Sequence, residues 1–396
     1  MTKKGHRTRS VLTGFTIIVC LIADVPSSNG ETGHAGQSGY SCPVAGTSAD
    51  RWPAPDPLVE TMTFPAVFDW RVTGGMTPVK DQGMTPGCYP CWAFSLIGAA
   101  ESAFLIATGI PFSLSEQHLI ECNTSGYGCS GGFIDGWTAL RDYGAVLSED
   151  YPFTGGENPC SQETCEPVGW VAGAYPVPYS IPSLKYALMV HGCLSCSMTV
   201  YSDFMMYSGG CYANPGTKSI NHGVVLVGWD DTLCDGAGAW LVRNSWGDGW
   251  GDGGVAAMQY GTANIGRHAQ WFEVVDEVVP RSLHYRLFMP DTALSAGDRF
   301  ILESRMGNPT AETIDCLEFI VLDIAGDIWF HPGWTRDVQW DSWMIRSEEY
   351  RYHVLLAFDW PPDIILPDTI RFAGACFDAI TFELLAWDLV TWHTNP

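Results

Sequence analysis

The chain has 396 residues, enough for two or three domains, and 46% of them are hydrophobic, which excludes global disorder and allows a sizeable core. The formal net charge of -24 repels phosphate backbones, so nucleic acid is not an expected partner. There are fourteen cysteines. With Cys20 removed alongside an N-terminal leader and one thiol kept for chemistry, an even number remains, as a disulfide framework in an oxidising compartment requires.

In chain order, Lys3, Lys4, Arg7 and Arg9 precede an apolar run over residues 11–23. The run is too short for a comfortable membrane span and reads as a signal peptide over residues 1–23, with an uncleaved N-terminal anchor as the alternative. Once it is removed no stable membrane insertion is expected, and the mature protein is expected to be secreted or extracytoplasmic. Residues 24–63 are rich in Gly, Ser, Pro and Thr, lack a helical period, and read as a linker or short pro-segment. Dense sequence starts at Phe64. Residues 91–108 (CWAFSLIGAAESAFLIAT) are almost wholly apolar and lie between Pro90 and Gly109, the pattern of a buried helix with proline at its start and glycine at its cap. Residues 115–122 and 183–191 read as two shorter helices. Short strand-like runs follow at 195–200, 223–229, 239–243 and 254–259. An α+β domain is therefore expected over 64–279. Beyond a break near Val279-Pro280, strand patterns at 299–304, 317–324, 350–358 and 369–376 predict an all-β, sandwich-like C-terminal domain over 280–396. Its Trp and Phe excess reads as sandwich core, and it holds no recognisable pairing of nucleophile and base.

Three segments carry chemistry: Lys80 to Ser95 (KDQGMTPGCYPCWAFS), Asn221-His222-Gly223, and Arg243-Asn244-Ser245-Trp246-Gly247. A thiol attacks an amide only as thiolate. Cys91 stands at the start of the apolar helix, where unpaired N–H groups stabilise an anion. His222 can take the thiol proton and return it to a leaving amine. Asn244 can orient the imidazole by accepting its hydrogen bond, and Trp246 can shield that bond from water. Gln82 can donate its side-chain amide to a developing oxyanion, beside the backbone N–H of Cys91. Gly131-Gly132 allows another chain to approach closely and pair with the backbone.

Together these ordered motifs resemble the papain family of cysteine peptidases over about residues 64–275. His222 lies 131 residues and Asn244 153 residues after Cys91. Asp69-Trp70-Arg71, Thr77-Pro78-Val79-Lys80, Gly128-Cys129-Ser130-Gly131-Gly132 and Trp250-Gly251 also match family segments. The resemblance implies a two-lobed fold, one lobe helical and one β-barrel-like, and a cysteine endopeptidase acting on proteins or peptides through a thioester, with no cofactor and no metal. It further implies bridges joining Cys88 with Cys129 and Cys122 with Cys160. Bridges of Cys211 with Cys234 and of Cys316 with Cys376 are additional guesses. Cys42, Cys165, Cys193 and Cys196 are left unassigned. The chain departs from the family at Tyr89-Pro90, where Gly-Ser is usual, and in lacking a long helical pro-region.

Three other readings remain. Cys88 and Cys91 have the spacing of a thiol-disulfide redox site. Cys88, Cys91, Cys193 and Cys196 form a CxxC…CxxC pattern, although their separation is far too long for a compact zinc ribbon. An inactive papain-like binding protein would share the fold. Because the proposed catalytic set is complete before Pro280, residues 281–396 are expected to be dispensable for chemistry.

Overall fold

The computed structural model describes residues 52–83, 87–161, 165–275, 283–289, 299–324, 327–347, 349–359 and 369–393. The expected signal peptide and most of the segment 24–63 lie outside the described residues. Asp56 accepts a hydrogen bond from Leu58 N and caps α1 (Pro57–Glu60). β1 (Val67–Asp69) leads into α2 (Trp70–Thr73). The central helix α3 (Cys91–Thr108) is buried at every residue from Cys91 to Phe104 and ends on Gly109, whose φ of 73° supplies the left-handed cap. Its composition would suit a membrane span, but 78% of it is buried inside the protein, so it is a core helix. α4 (Glu116–Cys122) is capped by Ser115, whose hydroxyl accepts from His118 N, and is followed by α5 (Thr138–Asp142).

The second half of this domain contains β2 (Trp170–Pro176), α6 (Ile181–His191), β3 (Leu194–Met198), β4 (Cys211–Tyr212), β5 (His222–Asp230), β6 (Ala239–Arg243), β7 (Val255–Gln259) and β8 (Arg267–Val275). Among the described residues these strands form one sheet in the order β2-β8-β3-β5-β6-β7-β4, with β1 added on β5. Helices α3 to α5 make a helical half, and α3 lies against β5, β8 and β3. The expected α+β domain with a helical and a strand-rich part is therefore present.

The C-terminal residues form β9 (His284–Phe288), β10 (Arg299–Asn308), β11 (Ile314–Ile324), β12 (Asp327–Phe330), β13 (Asp341–Ile345), β14 (Glu349–Asp359), β15 (Thr369–Asp378) and β16 (Leu384–His393). One sheet runs β14-β10-β9; the other runs β12-β11-β15-β16, with β13 on β11. Tyr285, Leu287, Phe300 and Leu302 of the first share a buried core with Ile320 and Phe372 of the second, so this part is a sandwich.

Residues 52–63, the described end of the expected linker or short pro-segment, pack against both domains. Val59 packs with Tyr186 of α6 and with Ile301 and Val354 of the sandwich, Ser183 Oγ donates to Glu60 at 3.0 Å, and Val354 N donates to Asp56 Oδ2 at 3.3 Å. The sandwich also packs closely on the α+β domain. Tyr350 of β14 is buried against Trp137 and Tyr175. Arg305 of β10 lies with Nε 2.9 Å from Glu303 and Nη1 3.4 Å from Glu273 of β8, while His284 of β9 is 2.7 Å from Glu273. Tyr175 and Tyr186 donate to Glu273 and Glu303, each at 2.7 Å. Burial alone would raise the Glu273 carboxyl, but hydrogen bonding and charge from His284, with the charge of Arg305, outweigh it and hold the group well below the usual carboxylate range. Arg305→Leu would leave two buried carboxylates short of their shared cation. It is expected to cost about 3–5 kcal/mol, read from urea unfolding of the full chain. A cost under about 1 kcal/mol would mean that other groups already compensate both carboxylates.

Candidate active site

The start of α3 is fixed from two sides. A disulfide joins Cys88 to Cys129, and a second joins Cys122 to Cys160. Tyr89 N donates to Cys129 O at 2.8 Å, so the residues before the helix are stitched to the glycine segment. Pro90 offers no capping side chain, and the positive end of α3 falls on the Cys91 thiol. Cys91 is not in a disulfide and is 5% exposed.

His222 opens β5, and the strand reaches it by running hard against α3. A Cβ at Gly223 would stand 3.0 Å from Cys91 O and 3.3 Å from Trp92 Cα, so only glycine lets the strand come this close. Ser95 fastens the contact: its hydroxyl donates to Val224 O at 2.6 Å and lies 2.8 Å from the Ser195 hydroxyl of β3. Cys91 and His222 consequently line one pocket, with Gly132, Phe133, Ile134 and Ile220. His222 Nε2 is 2.8 Å from Asn244 Oδ1, just past the end of β6. Ser245 N donates to the same atom at 2.9 Å, which identifies it as the amide oxygen and so puts the imidazole proton on Nε2. The Trp246 ring lies 5.2 Å from the imidazole. Gln82 N donates to Ser245 O at 2.9 Å, and Gln82 Oε1 accepts from Ser245 Oγ at 2.7 Å. With its carbonyl engaged there, the amide nitrogen is the remaining polar end of the Gln82 side chain.

Gly131 has a φ of +116°, a backbone state that L side chains rarely adopt. A Cβ at Gly132 would lie 2.5 Å from the Trp92 ring. Trp92 Nε1 donates to Gly128 O at 3.1 Å, so the glycine segment lies flush on the indole beside Cys91. Ser245, Ser95 and Gly223 were not singled out from sequence. All three sat inside quoted motifs, but nothing in the string shows that Ser245 would bond to both Gln82 and Asn244.

A charged cluster underlies the site. Lys80 Nζ is 2.6 Å from Glu101 and 2.9 Å from Glu116, while Arg243 donates to Thr77 Oγ1 at 3.0 Å and to Pro78 O at 2.7 Å. These bonds tie residues 77–80 to α3, α4 and β6. Burial pushes the Glu116 carboxyl up to about 7, with Lys80 pulling the other way.

A third disulfide joins Cys211 to Cys234. The guessed bond of Cys316 with Cys376 is not formed: the two buried thiols are neighbours on β11 and β15. Cys193 and Cys196 are buried thiols that burial pushes up to about 12. Cys165 is outside the disulfides, and Cys42 lies outside the described residues. Among the described residues no group of three or more His, Cys, Asp or Glu could hold a metal ion. Cys88 spends its sulfur on Cys129, which removes it from a redox pair with Cys91.

Residues 64–273 match the family described as papain family cysteine protease. The chain is 30% identical over 249 residues to a senescence-specific cysteine protease of Arabidopsis thaliana, covering 62% of this chain and 71% of that one. It is 36% identical over 213 residues to a cysteine proteinase of Trypanosoma brucei brucei, covering 52% and 46%, and 34% identical over 208 residues to papain of Carica papaya, covering 51% and 57%. It thus spans only about half the length of the latter two. The solved structure of the bromelain protease of Ananas comosus in complex with the E64 inhibitor aligns with 29% identity and a TM-score of 0.49, over 53% of this chain and 99% of that one. The chain belongs to the papain family of cysteine-type peptidases.

Two outcomes follow for this site. Gly223→Ala is expected to cost about 1–3 kcal/mol of stability through overpacking. Displacing His222 from Cys91 should also lower the peptide-hydrolysis kcat/KM by on the order of 100-fold. Unchanged kinetics in the folded variant would show that the contact is not needed for alignment. For Glu116, a folded-state pKa raised from 4.5 to about 7 means that the folded state binds more protons than the unfolded state in that window. Its contribution therefore makes unfolding free energy fall as pH rises from 4.5 to 7. Glu116→Gln should flatten that slope, as read from urea unfolding at a series of pH values.

Proposed function

We propose that the protein is a secreted cysteine endopeptidase in which Cys91 is the nucleophile, His222 the acid and base, Asn244 its orienting partner and Gln82 an oxyanion donor. The observation that carries the reading is one pocket shared by Cys91, at the positive end of a helix, and His222, whose Nε2–H is held by Asn244. That bond leaves Nδ1 as the basic nitrogen. Nδ1 takes the Cys91 proton, and the thiolate adds to the scissile carbonyl. The oxyanion is held by the Gln82 side-chain amide and the Cys91 backbone N–H. Collapse breaks the C–N bond, His222 passes its proton to the departing amine, and a thioester remains. Water, deprotonated by His222, adds to the thioester, and the carboxylic acid and the thiol are released. The substrate is an extended protein or peptide whose backbone runs along Gly131-Gly132, with Trp246 covering the His222–Asn244 bond. The apolar leader and three disulfides favour action outside the cytoplasm.

An epoxide inhibitor that alkylates reactive thiols should label Cys91 alone, located by peptide mapping of unreduced protein. Cys91→Ala should abolish turnover and labelling with the fold intact, and turnover in a clean preparation would refute the reading. His222→Ala should lower kcat by about 100- to 10,000-fold. Asn244→Ala should cost less, since it orients the base without being it. Equal or reversed losses would overturn the division of roles.

A further inference from the structure

The hollow beside Cys91 has an apolar wall. Phe133 and Ile134 supply it, directly after Gly131-Gly132, and Ile220 also lines the hollow. Phe133 precedes a short 3-10 turn (Ile134–Trp137) that has no capping side chain, so little in its own stretch of chain fixes the wall. The wall is held instead from β8. The His268 ring lies 4.9 Å from the Phe133 ring, and Gln270 Nε2 donates to Ile134 O at 2.8 Å.

Trp52 closes the arrangement. Its ring lies 6.5 Å from Phe133 and 4.8 Å from His268, so each of three rings touches the other two. Its Nε1 also donates to Ala269 O. Aromatic contacts of this kind attract beyond the area they bury. His268 has a φ of 53°, a left-handed state that a residue other than glycine keeps only where its surroundings hold it. Trp52 is half-buried and Phe133 is 4% exposed, so the indole is the outer member of the set and Phe133 the inner one. Trp52 comes from outside residues 64–273, the part of the chain that matches the peptidase family. The segment that carries it is fastened further along, where Val59 is buried among Tyr186, Ile301 and Val354.

We propose that Trp52 is a positioning residue for peptide hydrolysis: by ring contact with Phe133 and with His268 it braces the wall against which an apolar side chain of the substrate binds. This rests on the peptidase reading of the Cys91 pocket. It also assigns the segment 52–63 to the working enzyme, because a cut before Phe64 that released the segment would take the brace with it.

The test uses the full chain and a fluorogenic peptide with leucine at both positions upstream of the scissile bond. Trp52→Ala is expected to raise KM about tenfold and to change kcat by less than about twofold, the pattern of binding lost without loss of chemistry. Trp52→Phe keeps a ring and should stay within about twofold of the unsubstituted KM. Val59→Ala removes packing from the same segment and should lower the urea midpoint while leaving KM and kcat unchanged. An unchanged KM in Trp52→Ala, a fall in kcat alone, an equal rise of KM in Val59→Ala, or no recovery in Trp52→Phe would overturn the inference. So would an active preparation of normal KM whose N-terminus, read by mass spectrometry, begins at or after Phe64 and which no longer contains Trp52. Fluorescence anisotropy of the same peptide, labelled, on Cys91→Ala protein reads binding without turnover. Binding weakened about tenfold by Trp52→Ala and restored by Trp52→Phe supports the brace even if the unsubstituted protein cleaves nothing, a result that would count against the peptidase reading alone. Binding unchanged by Trp52→Ala would overturn the brace and leave the peptidase reading standing.

Discussion

The contact on which the rest depends is the approach of β5 to α3. Two glycines make it possible, one on each element. A Cβ at Gly223 would press on Cys91 O, and a Cβ at Gly98 would stand 3.0 Å from Val225 Cγ2 and 3.3 Å from Arg243 Nη1. With both side chains reduced to hydrogen, the strand lies directly on the helix backbone and Ser95 can reach Val224. The first residue of the strand, His222, then arrives beside the first residue of the helix. A thiol and an imidazole far apart in sequence are thus brought to one pocket by a helix and a strand.

Two buried charge clusters hold the surroundings of that contact. The one built from Lys80, Glu101, Glu116 and Arg243 anchors the segment that carries Gln82 and the strand that ends just before Asn244. The other, built from His191, Glu273, His284, Glu303 and Arg305, joins the peptidase domain to the sandwich. Buried ion pairs gain little over well-packed apolar residues, yet breaking one is costly because the charge left behind is uncompensated. Such clusters therefore act as registration marks: each tolerates one arrangement of the elements that supply it. Arg305 adds a cation–π contact, with its guanidinium 3.5 Å from the centre of the Phe288 ring.

The sandwich and the peptidase domain consequently share a buried seam. Tyr350 belongs to β14, but its ring is buried among Trp137 and Tyr175, and it lines a hollow with Trp52 and Ile134. The segment 52–60 lies across both domains, with Asp56 bonded to β14 and Glu60 to α6.

The sequence by itself determined the local chemistry and the elements with a strong period or an unbroken apolar run. Helix α3 was legible because eighteen nearly apolar residues lie between a proline and a glycine, and Cys91, His222 and Asn244 could be put forward as candidates because each sits in a distinctive short motif. The ends of β10 and β15 were drawn short because Arg305, Asn308 and Asp378 look like surface residues, whereas Arg305 and Asn308 are buried by pairing and hydrogen bonding that only the fold supplies. β2 and β8 were missed because Gly173 and Pro176 break one pattern and Gln270 and Glu273 break the other. Only the tertiary structure decided that Ser245 bonds to both Gln82 and Asn244, that Cys316 and Cys376 lie side by side unbonded, and that residues 52–63 bind the two domains together. Each of these depends on which distant segment comes to lie opposite a residue, and a polar side chain in a string carries no mark of the partner that will bury it.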